Sequence, residues 1–144
     1  MKAKSFIVGF LIVVAAIAVI SIYFGFAVDK TAKSVAAFPS PNGKYKAVEI
    51  TLARGGARPF CFDSVSVIFA SYPDNFAERD KGYEVYSAPC GKFADGQASP
   101  KIAWRSNTDL QIDYVDQPTA GLRKATMKAI DVTKIVHVSF STKP

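Results

Sequence analysis

An apolar run near the start of the chain limits most strongly what this sequence can fold into. The 23 residues from Phe6 to Val28 carry no charge. As a helix they would measure about 34 Å, slightly more than the roughly 30 Å hydrocarbon core of a bilayer. A cleaved signal peptide is the alternative, with a small-residue site at residues 34–36. Because a cleavable apolar core is only about 7–15 residues long, the run favours an uncleaved transmembrane anchor over residues 1–28.

The two cysteines help to orient this anchor, since basic residues flank the run on both sides. Cys61 and Cys90 lack the spacing of a metal site. Outside the cytoplasm such a pair most simply forms a disulfide, contributing about 3–4 kcal/mol. Two free thiols in a cytosolic domain are the alternative. We predict a Cys61–Cys90 disulfide in a single-pass bacterial inner-membrane protein whose C-terminal domain lies in the periplasm.

The remaining chain is long enough for one modest domain. We predict a linker over residues 29–38 and an extracytoplasmic β domain over residues 39–144. The whole chain has a net charge of +6, but residues 37–144 carry only about +3, without a long basic stripe. This distribution argues against nucleic-acid binding.

Short alternating segments separated by turn residues predict a mainly β fold. After a turn at residues 40–43, Val48, Ile50 and Leu52 would face the core, with Glu49 and Thr51 on the opposite face. Further strands are predicted over residues 64–70, 83–87, 101–105, 110–115 and 135–140, and one helical turn over residues 74–81. Residues 122–130 fit an amphipathic helix or a strand, and we favour the strand. The predicted architecture is one transmembrane helix followed by a small antiparallel β-sheet or β-sandwich.

Several short motifs occur in a suggestive order along the domain. The chain carries SPNGKY at residues 40–45, Gly-Gly-Ala at residues 55–57, Val-Ser-Val at residues 65–67, and then Trp104 followed by an alternating hairpin. This order resembles a group of small bacterial envelope proteins in which a membrane segment or lipoprotein signal precedes an SPDGKY-like start. The resemblance implies an extracytoplasmic β domain, and the group has no assigned activity to carry over.

Residues suited to catalysis are sparse. The only histidine, His137, lies in an alternating segment, where a position on the polar face of the sheet is expected. A carboxylate pair could act without histidine, but Asp109 and Asp113 share strand parity and should both face solvent, beside Asp116. We therefore predict no catalytic residue, no metal site and no cofactor.

The candidate partner-binding surface is a basic loop followed by aromatic residues that flank a cysteine. Because Pro59 and an apolar strand follow the glycines, instead of the helix that a phosphate loop requires, a flexible loop is favoured over an anion site. The candidate residues are Arg54, Gly55, Gly56, Arg58, Phe60 and Phe62.

These observations favour binding over catalysis. We predict a module anchored in the membrane through residues 6–28 that binds or inhibits a protein partner in the periplasm, such as an immunity-type protein that neutralises an envelope-acting toxin. A structural subunit of a secretion, pilus or respiratory assembly is the alternative, and a hydrolase is the least favoured class. The oligomeric state is left open.

Overall fold

The structure is a computed structural model of the chain, and it describes residues 13–17, 31–56, 59–116 and 125–144. The chain divides into two compact units, Met1–Thr31 with Arg54–Pro59, and Ala32–Ala53 with Phe60–Pro144. In the first unit, residues 13–17 are helical. No helix within the described ranges is long and apolar enough to cross a membrane. Apart from residues 13–17, the predicted anchor over residues 1–28 lies outside the described residues.

The described chain is mainly β, with largely antiparallel sheets, as predicted. A five-stranded sheet has the order β1-β2-β3-β4-β9, a three-stranded sheet has the order β10-β8-β7, and β5 pairs with β6. The strands are β1 (Thr31–Pro39), β2 (Tyr45–Arg54), β3 (Phe60–Phe69), β4 (Glu84–Pro89), β5 (Gly91–Lys92), β6 (Ala98–Ser99), β7 (Lys101–Trp104), β8 (Asp109–Tyr114), β9 (Thr126–Met127) and β10 (His137–Thr142). A short helix α1 (Phe76–Arg79) and a 3₁₀ turn (Lys81–Tyr83) lie between β3 and β4.

The strand β1 occupies most of the segment predicted as a linker over residues 29–38. It lies at an edge of the sheet, and its residues are exposed except for the half-buried Phe38. An edge strand of this kind is held by backbone hydrogen bonds, so its sequence needs no alternation of buried and exposed side chains. That is why the pattern of residues 29–38 did not indicate a strand.

The predicted turn between β1 and β2 is confirmed. Gly43 has a φ of +67°, and its N–H donates to the Ser40 carbonyl at 2.8 Å. The Ser40 hydroxyl oxygen accepts a hydrogen bond from the Tyr45 N–H at 3.1 Å. The Asn42 side chain accepts from the Lys44 N–H at 3.1 Å. Side chains at this turn therefore bind backbone N–H groups that do not take part in the hydrogen bonds between β1 and β2.

The strand β2 is buried on both faces, which corrects the predicted pattern. Val48 and Ile50 are buried as expected, but Leu52 is 36% exposed. The opposite face, predicted to be polar, begins with the buried Tyr45 and Ala47. Glu49 and Thr51 therefore continue a core-facing row and are only partly exposed.

Two hydrophobic clusters account for this double burial. The larger cluster combines residues of the five-stranded and three-stranded sheets, so the two sheets share one core. The smaller cluster joins β2 and β3 to α1 and the aromatic residues around it. The larger cluster contains Tyr45, Ala47, Val65, Val67, Val85, Tyr86, Ala88, Leu110, Ile112, Val136 and Val138. The smaller contains Val48, Ile50, Ile68 and Ala77.

A β-bulge and a parallel pair depart from simple antiparallel pairing. Val65 pairs with Tyr86, whereas Ser66 pairs with Glu84, so Val85 is the extra residue on β4. This allows Val85 and Tyr86, neighbours in sequence, both to enter the core. The last strand, predicted within an antiparallel sheet, runs parallel to β8 because a long connection returns the chain in the same direction.

The other predicted strands correspond to β3, β4, β7, β8 and β10, with shifted ends. The hairpin of β7 and β8 is confirmed, with Trp104 opposite Leu110. The predicted helical turn contains α1. In the ambiguous segment 122–130, the described part includes the short strand β9, and residues 122–124 lie outside the described residues.

A buried carboxylate holds the turn that leads into β10. Asp131 is only 3% exposed. Its two oxygens accept hydrogen bonds from the Ile135 and Val136 N–H groups at 3.1 and 2.9 Å, and from the Thr133 N–H and hydroxyl at 3.1 and 2.6 Å. Because Val136 is fully buried in the shared core, this carboxylate connects the turn to the packing of both sheets.

We expect Asp131→Ala to lower the free energy of unfolding by about 3 kcal/mol, because buried donors lose a charged acceptor. Urea unfolding of the full chain in mild detergent, followed by fluorescence of the single tryptophan, measures this loss. Asp95→Ala is the control, since Asp95 is exposed and accepts from the Gln97 N–H in a surface turn. The control should cost less than about 1 kcal/mol, and equal losses would contradict the role assigned to Asp131.

Candidate functional site

The structure divides the predicted binding residues between the two units. Arg54 ends β2, and Gly56 has a φ of +94°, a conformation that suits glycine. Arg58 lies outside the described residues. Phe60 and Phe62 belong to the second unit, where Phe60 is 45% exposed and Phe62 is half-buried.

The predicted disulfide is confirmed. Cys61 and Cys90 are bonded, with their Cα atoms 5.3 Å apart. The bond lies at the end of the β3 and β4 ladder, next to the pair formed by Phe62 and Pro89. The Cys90 N–H also donates to the Cys61 carbonyl at 3.2 Å. This covalent link fixes the position at which the chain enters β3.

Two residues beyond Cys61, a buried carboxylate lies on the core-facing side of β3. Asp63 is only 4% exposed and shares the strand parity of the core residue Val65. The hydroxyl of Thr51 on β2 donates to Asp63 Oδ1 at 2.6 Å. Glu49 precedes Thr51 by two residues and therefore lies on the same face of β2. We call Glu49, Thr51 and Asp63 the acidic cluster.

Buried hydroxyl groups lie beside the acidic cluster. Tyr86 is almost fully buried on β4, and its phenol hydrogen-bonds with Ser99. The Ser99 hydroxyl oxygen also accepts from the Val115 N–H at 3.0 Å. The ring of Tyr114 lies 6.0 Å from that of Tyr86. The hairpin of β5 and β6, which begins just after Cys90, thus positions Ser99 against the core.

The surroundings of the acidic cluster favour the neutral forms of its carboxyl groups. Burial, with the neighbouring charge of Asp63, raises the pKa of Glu49 to about 7. Burial also raises the pKa of Asp63, although the hydrogen bond from Thr51 opposes this shift. Burial, together with the charge of Asp63, raises the pKa of Tyr86 to about 12. A negative charge on Asp63 opposes the ionisation of Glu49.

The Glu49 carboxyl can hold a proton near neutral pH. At pH 7 Glu49 is divided between its protonated and ionised forms, which is the property of a group that can donate or accept a proton. Within the described ranges, no group of three or more His, Cys, Asp or Glu side chains could hold a metal ion.

The carboxylates considered from the sequence have separate surface roles. Asp113 forms an ion pair with Lys143 and accepts from the Gln111 amide at 2.8 Å. These hydrogen bonds lower the pKa of Asp113. Asp109 accepts from the Ser106 hydroxyl at the hairpin turn. His137 is exposed at the start of β10, on the polar face, as predicted.

The acidic cluster was missed because its strands were interpreted as having one buried face. A signal was present in the sequence. Tyr45 and Ala47 have the parity of Glu49, and Asp63 lies in an apolar segment directly after Cys61. A large aromatic residue at the start of the supposedly polar row of β2 indicates burial of that row.

Comparison of the chain with protein-family models, curated proteins and solved structures gave no match. Conclusions about function therefore rest on the residues themselves.

We expect the pKa of Glu49 to make stability depend on pH. Its folded pKa of about 7 lies above the ordinary glutamate pKa of 4.5, so the folded state binds more protons than the unfolded state between these values. The stabilising contribution is complete below about pH 4.5 and is lost as pH rises through 7. Because Glu49 is partly exposed, solvent screening reduces this effect, and Glu49→Gln should remove a loss on the order of 1 kcal/mol between pH 5 and pH 8.

Urea unfolding of the full chain in detergent at the two pH values measures this difference. Asp116→Asn is the control, because it removes one exposed carboxylate outside the acidic cluster. The assignment is wrong if Glu49→Gln and the wild-type chain lose the same stability between pH 5 and pH 8.

Proposed function

We propose that this chain is a single-pass membrane protein of the bacterial inner membrane whose β domain lies in the periplasm and acts by binding a protein partner. The Cys61–Cys90 disulfide carries the proposal, because disulfides persist in oxidising compartments and are rare in the cytosol. The uncharged run from Phe6 to Val28 supplies the anchor. A tethered domain held near the membrane suits an immunity-type protein that intercepts an envelope-acting toxin.

An exposed aromatic side chain at a covalently fixed position supports binding. Phe60 is 45% exposed and directly precedes Cys61. A rigid backbone lowers the entropy lost when a side chain is ordered at an interface. Aromatic side chains also supply much of the energy at protein interfaces. We infer that Phe60, with Phe62 beside it on the strand, contributes to the partner-binding surface.

Acid–base catalysis is the second candidate, because the pKa of Glu49 is about 7 and Asp63 lies close enough to raise it. A hydrolase of this kind would need Glu49 to exchange a proton with its substrate. The Glu49→Gln variant separates the two functions. It should abolish hydrolysis but leave capture of a protein partner unchanged.

We expect the cysteines to be protected in cells. If the domain lies in the periplasm, a thiol reagent applied to the denatured, unreduced full chain should modify neither Cys61 nor Cys90. After reduction it should modify both. Mass spectrometry of the labelled peptides measures this outcome, and labelling of both cysteines before reduction would rule out the proposed compartment.

We expect Phe60→Ala to weaken partner binding at least about tenfold, the loss typical of an aromatic interface residue. Capture by the tagged full chain, with the bound protein identified and titrated, measures the affinity. Ile135→Ala is the control and should leave the affinity unchanged. Ile135 is also an exposed apolar residue, but it lies in the turn held by Asp131 and not beside Phe60.

Replacing residues 6–28 with an unrelated anchor separates a tethered binder from an assembly subunit. A binder should keep its partner after the exchange. A subunit whose helix packs against other helices should lose incorporation.

A further inference from the structure

The strand β1 presents the longest free edge in the described sheets. Within the described ranges, no strand pairs with its outer side. The other edges are shorter or already contacted. The strand β9 has only two residues, β7 has four and follows Pro100, and β10 is met by a bridge between Ile130 and His137.

Residues 32–38 of β1 lack the features that usually protect an edge. Native edges are blocked by proline, by bulges or by free charges. Here Pro39 lies only at the end of the strand. The single charge, Lys33, forms an ion pair with Glu78 on α1. The other side chains of this stretch are uncharged, and all but Phe38 are exposed.

Backbone alternation identifies the groups that face outward. The Ser40 N–H donates to the Tyr45 carbonyl at 2.8 Å, across the turn to β2. In an antiparallel ladder this direction alternates, so even-numbered N–H groups of β1 face β2. The N–H groups of residues 33, 35 and 37 therefore point away from the sheet. Pro39 is also odd-numbered, so its missing N–H removes no hydrogen bond between β1 and β2.

We propose that β1 pairs with β1 of a second copy of this chain, antiparallel about a two-fold axis at Val35. In this register Lys33 lies opposite Ala37 of the second copy, Ser34 opposite Ala36, and Phe38 opposite Ala32. Each charged or large side chain thus meets a small one, and no like charges face each other. The same strand forms both halves of the contact, as a closed two-fold interface requires.

About six backbone hydrogen bonds would form between the outward groups of residues 33, 35 and 37. An edge contact of this size is small for a dimer in free solution. The inference rests on the proposed anchor in one respect, since confinement of both copies to one membrane raises their effective concentration.

Cysteine cross-linking in membranes tests the register. Ser34 and Ala36 would form a pair that is not hydrogen-bonded, with Cα atoms about 4.5 Å apart, close enough for a disulfide. Differently tagged full chains carrying Ser34→Cys and Ala36→Cys should therefore cross-link after mild oxidation. When only one variant is expressed, the cysteines of its two copies lie diagonally across the strands, about 7–8 Å apart. Each single variant should therefore cross-link at least about fivefold less than the mixture.

Proline substitutions test the hydrogen bonding. Val35→Pro removes an outward N–H without removing a donor to β2, so the cross-link should fall at least about fivefold. Val35→Thr keeps the N–H and should retain it. Ala37→Pro is a second variant of the same kind. The unfolding midpoint of each proline variant, measured by tryptophan fluorescence, shows whether it is folded. The cross-link is then compared only for the variant that is folded.

Three results would overturn the proposal. The mixed Ser34→Cys and Ala36→Cys chains could cross-link no more than Gln97→Cys, which lies in an exposed surface turn. A folded proline variant could cross-link as well as the wild-type background. Cross-linking could also appear only with a different protein, which would make that protein's strand the occupant of the edge. None of these measurements depends on partner capture, so failure of the proposed binding function remains distinguishable.

Discussion

The packing of both faces of β2 and β3 is the constraint on which the rest of the structure depends. One face of these strands contributes to the core shared with the three-stranded sheet, and the other is covered by α1 and its aromatic neighbours. Where a strand is buried on both faces, its polar residues have little access to water. Its polar side chains must therefore find partners inside the protein or shift to their neutral forms. Ser64 does the first, with its hydroxyl donating to the Ile50 carbonyl at 3.5 Å.

The acidic cluster follows from the same constraint. Tyr45 and Ala47 are buried, whereas Glu49 and Thr51, further along the same row of β2, are only partly covered. Burial of Glu49 is sufficient to raise its pKa, and part of its side chain is still accessible to solvent. Packing that stabilises the first half of the strand thus produces an unusual carboxyl group in the second half.

The sequence predicted the features whose causes are local. Three such features were predicted, and each depends on nearby residues. They are the turn at Ser40 to Gly43, the hairpin of β7 and β8, and the positions of the main strands along the chain. The disulfide needed an additional assumption about the compartment. The parallel pairing of β10, the burial of Glu49 and part of what holds β1 depend on segments far away in the chain. For example, Phe38 is held by a hydrogen bond from Trp104 Nε1 to its carbonyl at 2.9 Å, across 66 residues.

That hydrogen bond has a mechanical consequence. Tension applied to the chain before Thr31 is received first by β1, at the end of the strand furthest from its turn. A pull along the strand loads its hydrogen bonds to β2 together, whereas a pull across the strand breaks them in succession, beginning at Thr31. In the second case, the hydrogen bond from the Trp104 indole to the Phe38 carbonyl breaks late, close to the turn at Ser40. The single tryptophan of the chain therefore holds the end of β1 that such a pull reaches last.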